Sequence, residues 1–292
     1  MLANSTLSEH PAKPASTTTA PQRARGTVEL AVGCSENNTR IVRLFQSGCA
    51  KTRIPRSAGN GLEAILINSS GGMTGGDVIN WRVDVAQDAQ ASVTSQACER
   101  VYKATADTAE VNIDLQVGRG AQLSWLPQET ILFDQGRLRR TLNAELEPSA
   151  HALFVEPIIF GRGAMGERVN QGHLQDRWRI RQGGRLIHAE DLLISGEVAT
   201  KLDQPFVLDG NCAMATILLV SPKAEGYLRD VRTILDIPSD SPAPNSHRGA
   251  SAWNGKLLAR IIAKDGYNLR KKLVPLINLL NFEAHVPKVW AI

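Results

Sequence analysis

The sequence predicts a mainly β protein with a few helices, and three observations carry that prediction. Long stretches alternate polar and apolar residues with period two and are rich in β-branched side chains, the signature of strands with one buried face. A short pattern, in which a small residue after a turn leads into a strand, recurs at intervals near thirty residues. Only two segments carry the three-and-four spacing of an amphipathic helix.

Residues 1–25 are rich in Ser, Thr, Ala and Pro and offer no periodic apolar face to repay the entropy of ordering them. They read as a disordered tail without the apolar stretch of a secretory leader. A single domain is expected over 26–292, beginning with GTVELAV at Gly26. DVINWRVDV follows at 77–85, with Ile79, Trp81, Val83 and Val85 on one face and Val78 out of step. AEVNIDLQV at 109–117 alternates cleanly through Val111, Ile113, Leu115 and Val117. RLRRTLNAEL, HALFVEPIIF, DRWRIRQ and GRLIHAEDLLI continue the strands.

The recurring units are AQASVTSQ from Ala89, AQLSWLPQ from Ala121, AHALFVEP from Ala150 and GRLIHAED from Gly184, whose starts lie 32, 29 and 34 residues apart. Such a period suits a stacked or coiled β architecture in which no unit buries its face alone. Similar hairpins in an ordinary sandwich give the same spacing, and the residues leave both readings open. EGYLRDVRTIL at 225–235 is expected to be helical. So is GYNLRKKLVPLINLLN at 266–281, through Leu269, Leu273, Leu276, Ile277 and Leu280, with Pro275 expected to kink or break it. IPSDSPAPNSH at 237–247 reads as an exposed loop, and KLLARIIAK fits strand or helix equally.

Composition excludes several functions. A net charge of +4 without a dense basic patch argues against nucleic-acid binding. The one cluster, Arg137, Arg139 and Arg140, reads as a solvated strand face or a protein-binding rim. Cys34, Cys49, Cys98 and Cys212 form no CxxC pair, and the six histidines are scattered, so no zinc site is expected and buried free thiols are. AMATILLV at 213–220 is too short to span a bilayer, so no membrane role is expected and a cytoplasmic location is the default.

Several motifs invite a chemical reading. GGMTGGD at 71–77 is rich in glycine but lacks the GK[ST] of a phosphate loop; two GG pairs suggest instead that something packs close to the backbone. Glu129 and Asp134 in PQETILFD are two carboxylates in an apolar run, which opens an alternative reading as the acid–base pair of a β-rich hydrolase. On a regular strand they would face opposite ways. In EPIIFGRGAMGE, which also holds Glu167, Glu156 starts an apolar run and needs a partner, for which Arg162 is a candidate; the two read as a structural ion pair. SQACERVYK at 95–103 holds Cys98 without a nearby histidine. His188 and Glu190 of HAED would share a strand face, which is an incomplete metal site. A protein- or carbohydrate-binding module without a metal role is a third possibility, but the five tryptophans are spread too widely to suggest a groove.

Five motifs in order resemble the urease accessory UreD (UreD/UreH) family: the GGxxGGD loop with Gly71, Gly72, Gly75 and Gly76; SQACERVYK with Gln96 and Tyr102; WLPQETILFD with Trp125, Pro127, Gln128 and Phe133; FGRGAMGE with Gly161 and Arg162; and the closing VPKVW. The resemblance runs from about Gly26 to Ile292. Met73–Thr74, Arg100 and Cys98 are mild departures from the family pattern. It implies two stacked, coiled β-sheets, β-helix-like, with a few helices. It also implies a non-catalytic scaffold that acts with UreF and the GTPase UreG on apo-urease, and in an accessory complex that can dimerise. No cofactor stays bound; nickel passes in transit through an internal, water-filled path. On that reading Asp77, Glu129, Asp134, Glu156 and Glu167 are expected to line the path, because oxygen donors hold nickel more loosely than imidazole or thiolate. The C-terminal helix is a candidate docking surface or simply a cap on the sheet.

Overall fold

The computed structural model describes residues 22–56, 59–237, 247–282, 284 and 286–291. Most of the expected tail and most of the 237–247 loop, with His10 and His285, lie outside the described residues. Strands and helices are numbered in chain order.

Two sheets form the body. The first contains β1 (Arg25–Ser35), β2 (Asn38–Gly48), β5 (Val78–Val85), β8 (Ala109–Val117), β11 (Arg137–Leu146), β13 (Gln171–Gln182) and β14 (Arg185–Glu197), in the order β14-β13-β11-β8-β5-β1-β2. The second contains β3 (Ala50–Arg53), β4 (Leu62–Asn68), β6 (Gln90–Ser95), β9 (Gln122–Leu126), β12 (His151–Phe160), β15 (Ala213–Val220), β16 (Arg248–Trp253) and β17 (Lys256–Ala263), in the order β16-β17-β15-β12-β9-β6-β4-β3. Short strands β7 (Glu99–Val101) and β10 (Thr130–Leu132) attach beside β12.

From β4 to β13 the chain crosses back and forth between the sheets, and each strand pairs in parallel with its equivalent one coil away. The sequence period is this coil. Gln90, Gln122 and His151 are register partners, as are Asn80, Asn112 and Thr141, so offsets of 32 and 29 residues recur in both sheets. The unit from Gly184 does not continue the series. It enters β14, which turns back antiparallel on β13 as a hairpin in the first sheet. Gly183 and Gly184, both at positive φ, make the tight turn that reverses the chain.

The period-two alternation fixes what each face buries. Inward residues of both sheets, among them Leu30, Trp81, Ile113, Leu142, Trp178, Trp125 and Phe154, form the main core. Outward residues of the first sheet form polar ladders instead: Thr27, Asn80, Asn112 and Thr141 hydrogen-bond in a row at 3.0–3.2 Å. The outer face of the second sheet is apolar, through Leu153, Val155, Ile217 and Leu219, and a helical layer covers it.

That layer holds α2 (Leu228–Ile234) and α3 (Gly266–Leu280); a third helix, α1 (Val198–Leu202), packs on the β13–β14 hairpin. α3 buries Leu269, Leu273, Leu276, Ile277 and Leu280 against the sheet. Asp265 caps it by accepting from the Asn268 N–H at 2.7 Å. The helix runs through Pro275 without ending there, because the buried leucine stripe holds turns on both sides of the lost hydrogen bond. KLLARIIAK is strand β17.

Candidate functional site

The coil brings four of the family-like segments to one corner. Met73, Val101, Leu132 and Phe160 are parallel register partners in successive layers. Backbone bonds stitch the layers: Met73 N–H to Arg100 O at 2.7 Å, Phe133 N–H to Val101 O at 3.0 Å and Gly161 N–H to Leu132 O at 2.8 Å. Side chains stack outside this row. The Tyr102 ring meets Phe133 edge-on at 5.2 Å, and the Arg162 guanidinium lies 4.5 Å over Phe133. Gly72, at φ +144, sits under Tyr102, where a Cβ would lie 2.4 Å from the ring. A Cβ on Gly75 would lie 1.9 Å from Ala106 O. The close packing expected around the two GG pairs is present, and Gly76 closes the loop by donating to Thr108 O at 3.2 Å.

Behind this corner lies a cavity of about 260 Å³. Its outer wall comes from Gly71, Gly72, Gln96, Cys98 and Glu99, and its inner wall from Trp125, Pro127, Gln128, Arg140 and Glu156. Inward apolar residues of the first sheet, including Trp81 and Ile113, complete it.

Glu156 occupies the inward phase of β12 between Phe154 and Ile158 and is fully buried. Its partner is Arg140, which reaches across the core from β11, and not Arg162. Arg140 also holds Asp176 of β13 through two bonds of 3.0 and 2.8 Å, and donates to Thr130 Oγ1 at 2.9 Å. Burial pushes the Glu156 carboxyl above the usual range; Arg140 pulls it down, and Asp176 on the same guanidinium pushes it up. One cation thus serves two buried carboxylates. Glu156 Oε2 and Trp125 Nε1 are both buried and lack a hydrogen-bond partner among the described residues. Arg140 therefore does not belong to a rim with Arg137 and Arg139: alternation along β11 points those two outward and Arg140 inward.

Glu99 is half-buried and opens into the cavity. Asn68 Nδ2 donates to its two oxygens at 3.1 and 3.2 Å. Burial pushes its carboxyl up to about 7 against the pull of Asn68. Beside it, burial and then Glu129 push the Cys98 thiol up to about 11, so it stays protonated at neutral pH.

The other expected carboxylates are engaged elsewhere. Asp77 closes the glycine-rich loop, accepting from Ala24 N–H at 2.7 Å and Thr74 N–H at 2.8 Å. Asp134 accepts from the N–H groups of Asn170 and Gln171 at 2.7 and 3.0 Å. Glu167 holds Arg162 through bonds of 2.7 and 3.2 Å, so the arginine expected at Glu156 is engaged here instead. Glu129 is buried and gripped by Arg270 of α3 at 2.6 and 2.8 Å. Of the five, only Glu156 lines the cavity, and among the described residues no three His, Cys, Asp or Glu side chains gather closely enough to hold a metal ion.

The hydrolase alternative fails on the same geometry. Glu129 and Asp134 flank the short strand β10 and bond to different elements. Burial raises both carboxyls, but Arg270 at Glu129 and backbone N–H groups at Asp134 outweigh it, so both end below the usual range. A general acid needs the opposite.

The C-terminal residues clamp this corner from outside. Gln128 Nε2 donates to Ser95 O, Gln96 O and Val289 O, each at 3.2 Å. Trp290 Nε1 donates to Leu126 O at 3.1 Å and Thr94 Oγ1 at 3.2 Å, and the Arg270 guanidinium lies 5.3 Å from the Trp290 ring. The four cysteines are free; Cys34 is exposed, contrary to the expectation of burial. His188 and Glu190 do share a face, 3.5 Å apart, and Glu190 is paired with Arg260 at 2.9 Å. No helix among the described residues is long and apolar enough to cross a membrane.

Sequence reasoning missed Glu99 and Asp176. Asp176 was visible in principle: it interrupts the inward row Leu174, Trp178, Ile180, as Arg140 interrupts Leu138, Leu142, Ala144, and the two are register partners.

Comparison with known proteins gives one consistent result. The family model described as UreD urease accessory protein matches residues 24–291. The chain is 50% identical over 275 residues to the urease accessory protein UreD of Mesorhizobium japonicum, covering 93% of this chain and 95% of that protein. It is 49% identical over 269 residues to that of Agrobacterium fabrum, with 92% of each covered. It is 47% identical over 276 residues to that of Rhizobium rhizogenes, with 94% and 98% covered.

Proposed function

The chain belongs to the UreD urease accessory protein family, and on that premise we propose that it serves urease maturation as a scaffold that helps nickel reach apo-urease, together with UreF and the GTPase UreG. Nickel is its cargo. The observation that carries the reading is that four of the segments bearing the family likeness stack at one corner and three of them wall one cavity, with a carboxyl at the outer wall and another at the inner wall.

The chemistry suits passage more than capture. Glu99 and Glu156 offer oxygen donors, and protons compete with the metal for both. Oxygen ligands bind nickel more weakly than imidazole or thiolate. The one soft ligand in the wall, Cys98, is held as a thiol, because Glu129 and burial oppose the thiolate that would bind tightly. Glu129 is engaged by α3 through both oxygens.

Complementation tests the reading. In a urease operon lacking its own gene of this family, supplying this chain should restore urease activity and the nickel content of purified urease. An inactive, nickel-free urease, with this chain folded and retained by its partners, would count against it.

A further inference from the structure

At one end of the coil stack both sheets stop, β2 closing the first and β3 the second. End coils of stacked repeats normally carry a polar cap. This one does not. β2 is eleven residues long and, among the described residues, pairs only with β1. Among the described residues its outer edge is crossed by one backbone bond, Thr39 N–H to Asn60 O at 2.7 Å, and by none along the stretch from Arg40 to Ser47. Along that stretch Val42 is 72% exposed, Phe45 50% and Ile41 42%. A bulge at Val42 shifts the register, so these side chains project from both faces of the strand. A long, apolar, unpaired edge is a template for another strand.

Charge decides which strand. Arg40 and Arg43 on β2 and Lys51 and Arg53 on β3 are exposed at this end. Glu29 answers Arg43 at 3.2 Å but is shared with Arg82 at 3.0 Å, so the edge keeps a positive excess. A second copy paired β2 to β2 about a two-fold axis would set this arginine row against itself, which is unfavourable.

We propose that the open edge of β2 docks an extended, acidic segment of a partner protein, which adds as a further strand to the first sheet. The inference rests on the maturation reading only for where that partner is found. It is independent of the cavity.

The test is hydrogen–deuterium exchange on the full chain, alone and in the complex purified after co-expression with the other products of a urease operon. Amides of 40–47 that point away from β1 should exchange at least tenfold more slowly in the complex. Val42→Asp, and separately Arg40→Glu with Arg43→Gln, should lower the partner recovered about tenfold while leaving the thermal unfolding of the chain intact. A complex that forms and activates urease with unchanged β2 exchange would overturn the docking and leave the maturation reading standing. A wild-type chain that retains no partner would overturn both. Slow exchange of those outward-pointing amides in the chain alone also overturns it. If that protection is lost on deleting residues 1–21, the occupant is the chain's own segment. If it is lost on dilution, the occupant is a second copy.

Discussion

Arg270, in the last helix, grips both oxygens of Glu129, 141 residues earlier in the chain, at 2.6 and 2.8 Å. The pair ties α3 to the corner that walls the cavity, and Gln128 and Trp290 reinforce it on either side.

Breaking this pair from one side leaves a buried carboxylate without its cation. Arg270→Ala should destabilise the chain by about 3 kcal/mol. Adding Glu129→Gln should recover a good part of that loss, since the orphaned charge is gone. Denaturant unfolding of the two single variants and the double variant reads the coupling.

Trp290 fills the space between α3 and β9 and shares its one N–H between Leu126 O and Thr94 Oγ1. Trp290→Ala should cost about 3–5 kcal/mol. Exchange at Thr94–Cys98 should quicken, because the clamp on that segment passes through Leu126 and Val289.

The glycine-rich loop predicts a contrast. Gly72→Ala meets the Tyr102 ring but also the Arg100 carbonyl at 2.8 Å, at a φ of +144 that L residues rarely adopt, so Tyr102→Ala should recover only the ring's share of the loss; Gly75→Ala meets the Ala106 carbonyl at 1.9 Å, so no side-chain change nearby should help. Melting temperatures of the two pairs check this.

Glu99 gives a pH dependence of known sign. Its carboxyl is raised from 4.5 to about 7 in the folded chain. The native state therefore holds a proton that the unfolded state has lost, and its contribution to stability declines as pH rises from about 4.5 to about 7. Glu99→Gln carries no such charge. Its melting temperature relative to the wild type should rise across that window and level off above it.

Much of the fold was legible because the coil writes its period into the chain. The spacings of 32 and 29 residues between the Ala89, Ala121 and Ala150 units are the strand registers of the structure. The Gly184 unit has the same local pattern, but a two-glycine turn makes it a hairpin, and spacing alone does not distinguish the two. The site was less legible. Its walls come from segments about thirty residues apart, and nothing local says that Met73 lies under Val101 or that Arg140 crosses the core to Glu156. Carboxylates inside the motifs drew attention, yet most of them brace the loops. Glu99 carries no local signal, and only the fold turns it toward the cavity.

The most direct test of the central claim is the nickel content of urease matured by cavity variants of this chain. Ala97→Trp would fill the mouth beside Gln96 and Cys98, and Glu99→Gln with Glu156→Gln would remove its two carboxyls. The account predicts that both reduce nickel per urease active site at least tenfold while the complex with the accessory partners still forms. Full nickel loading with an obstructed, carboxyl-free cavity would contradict it.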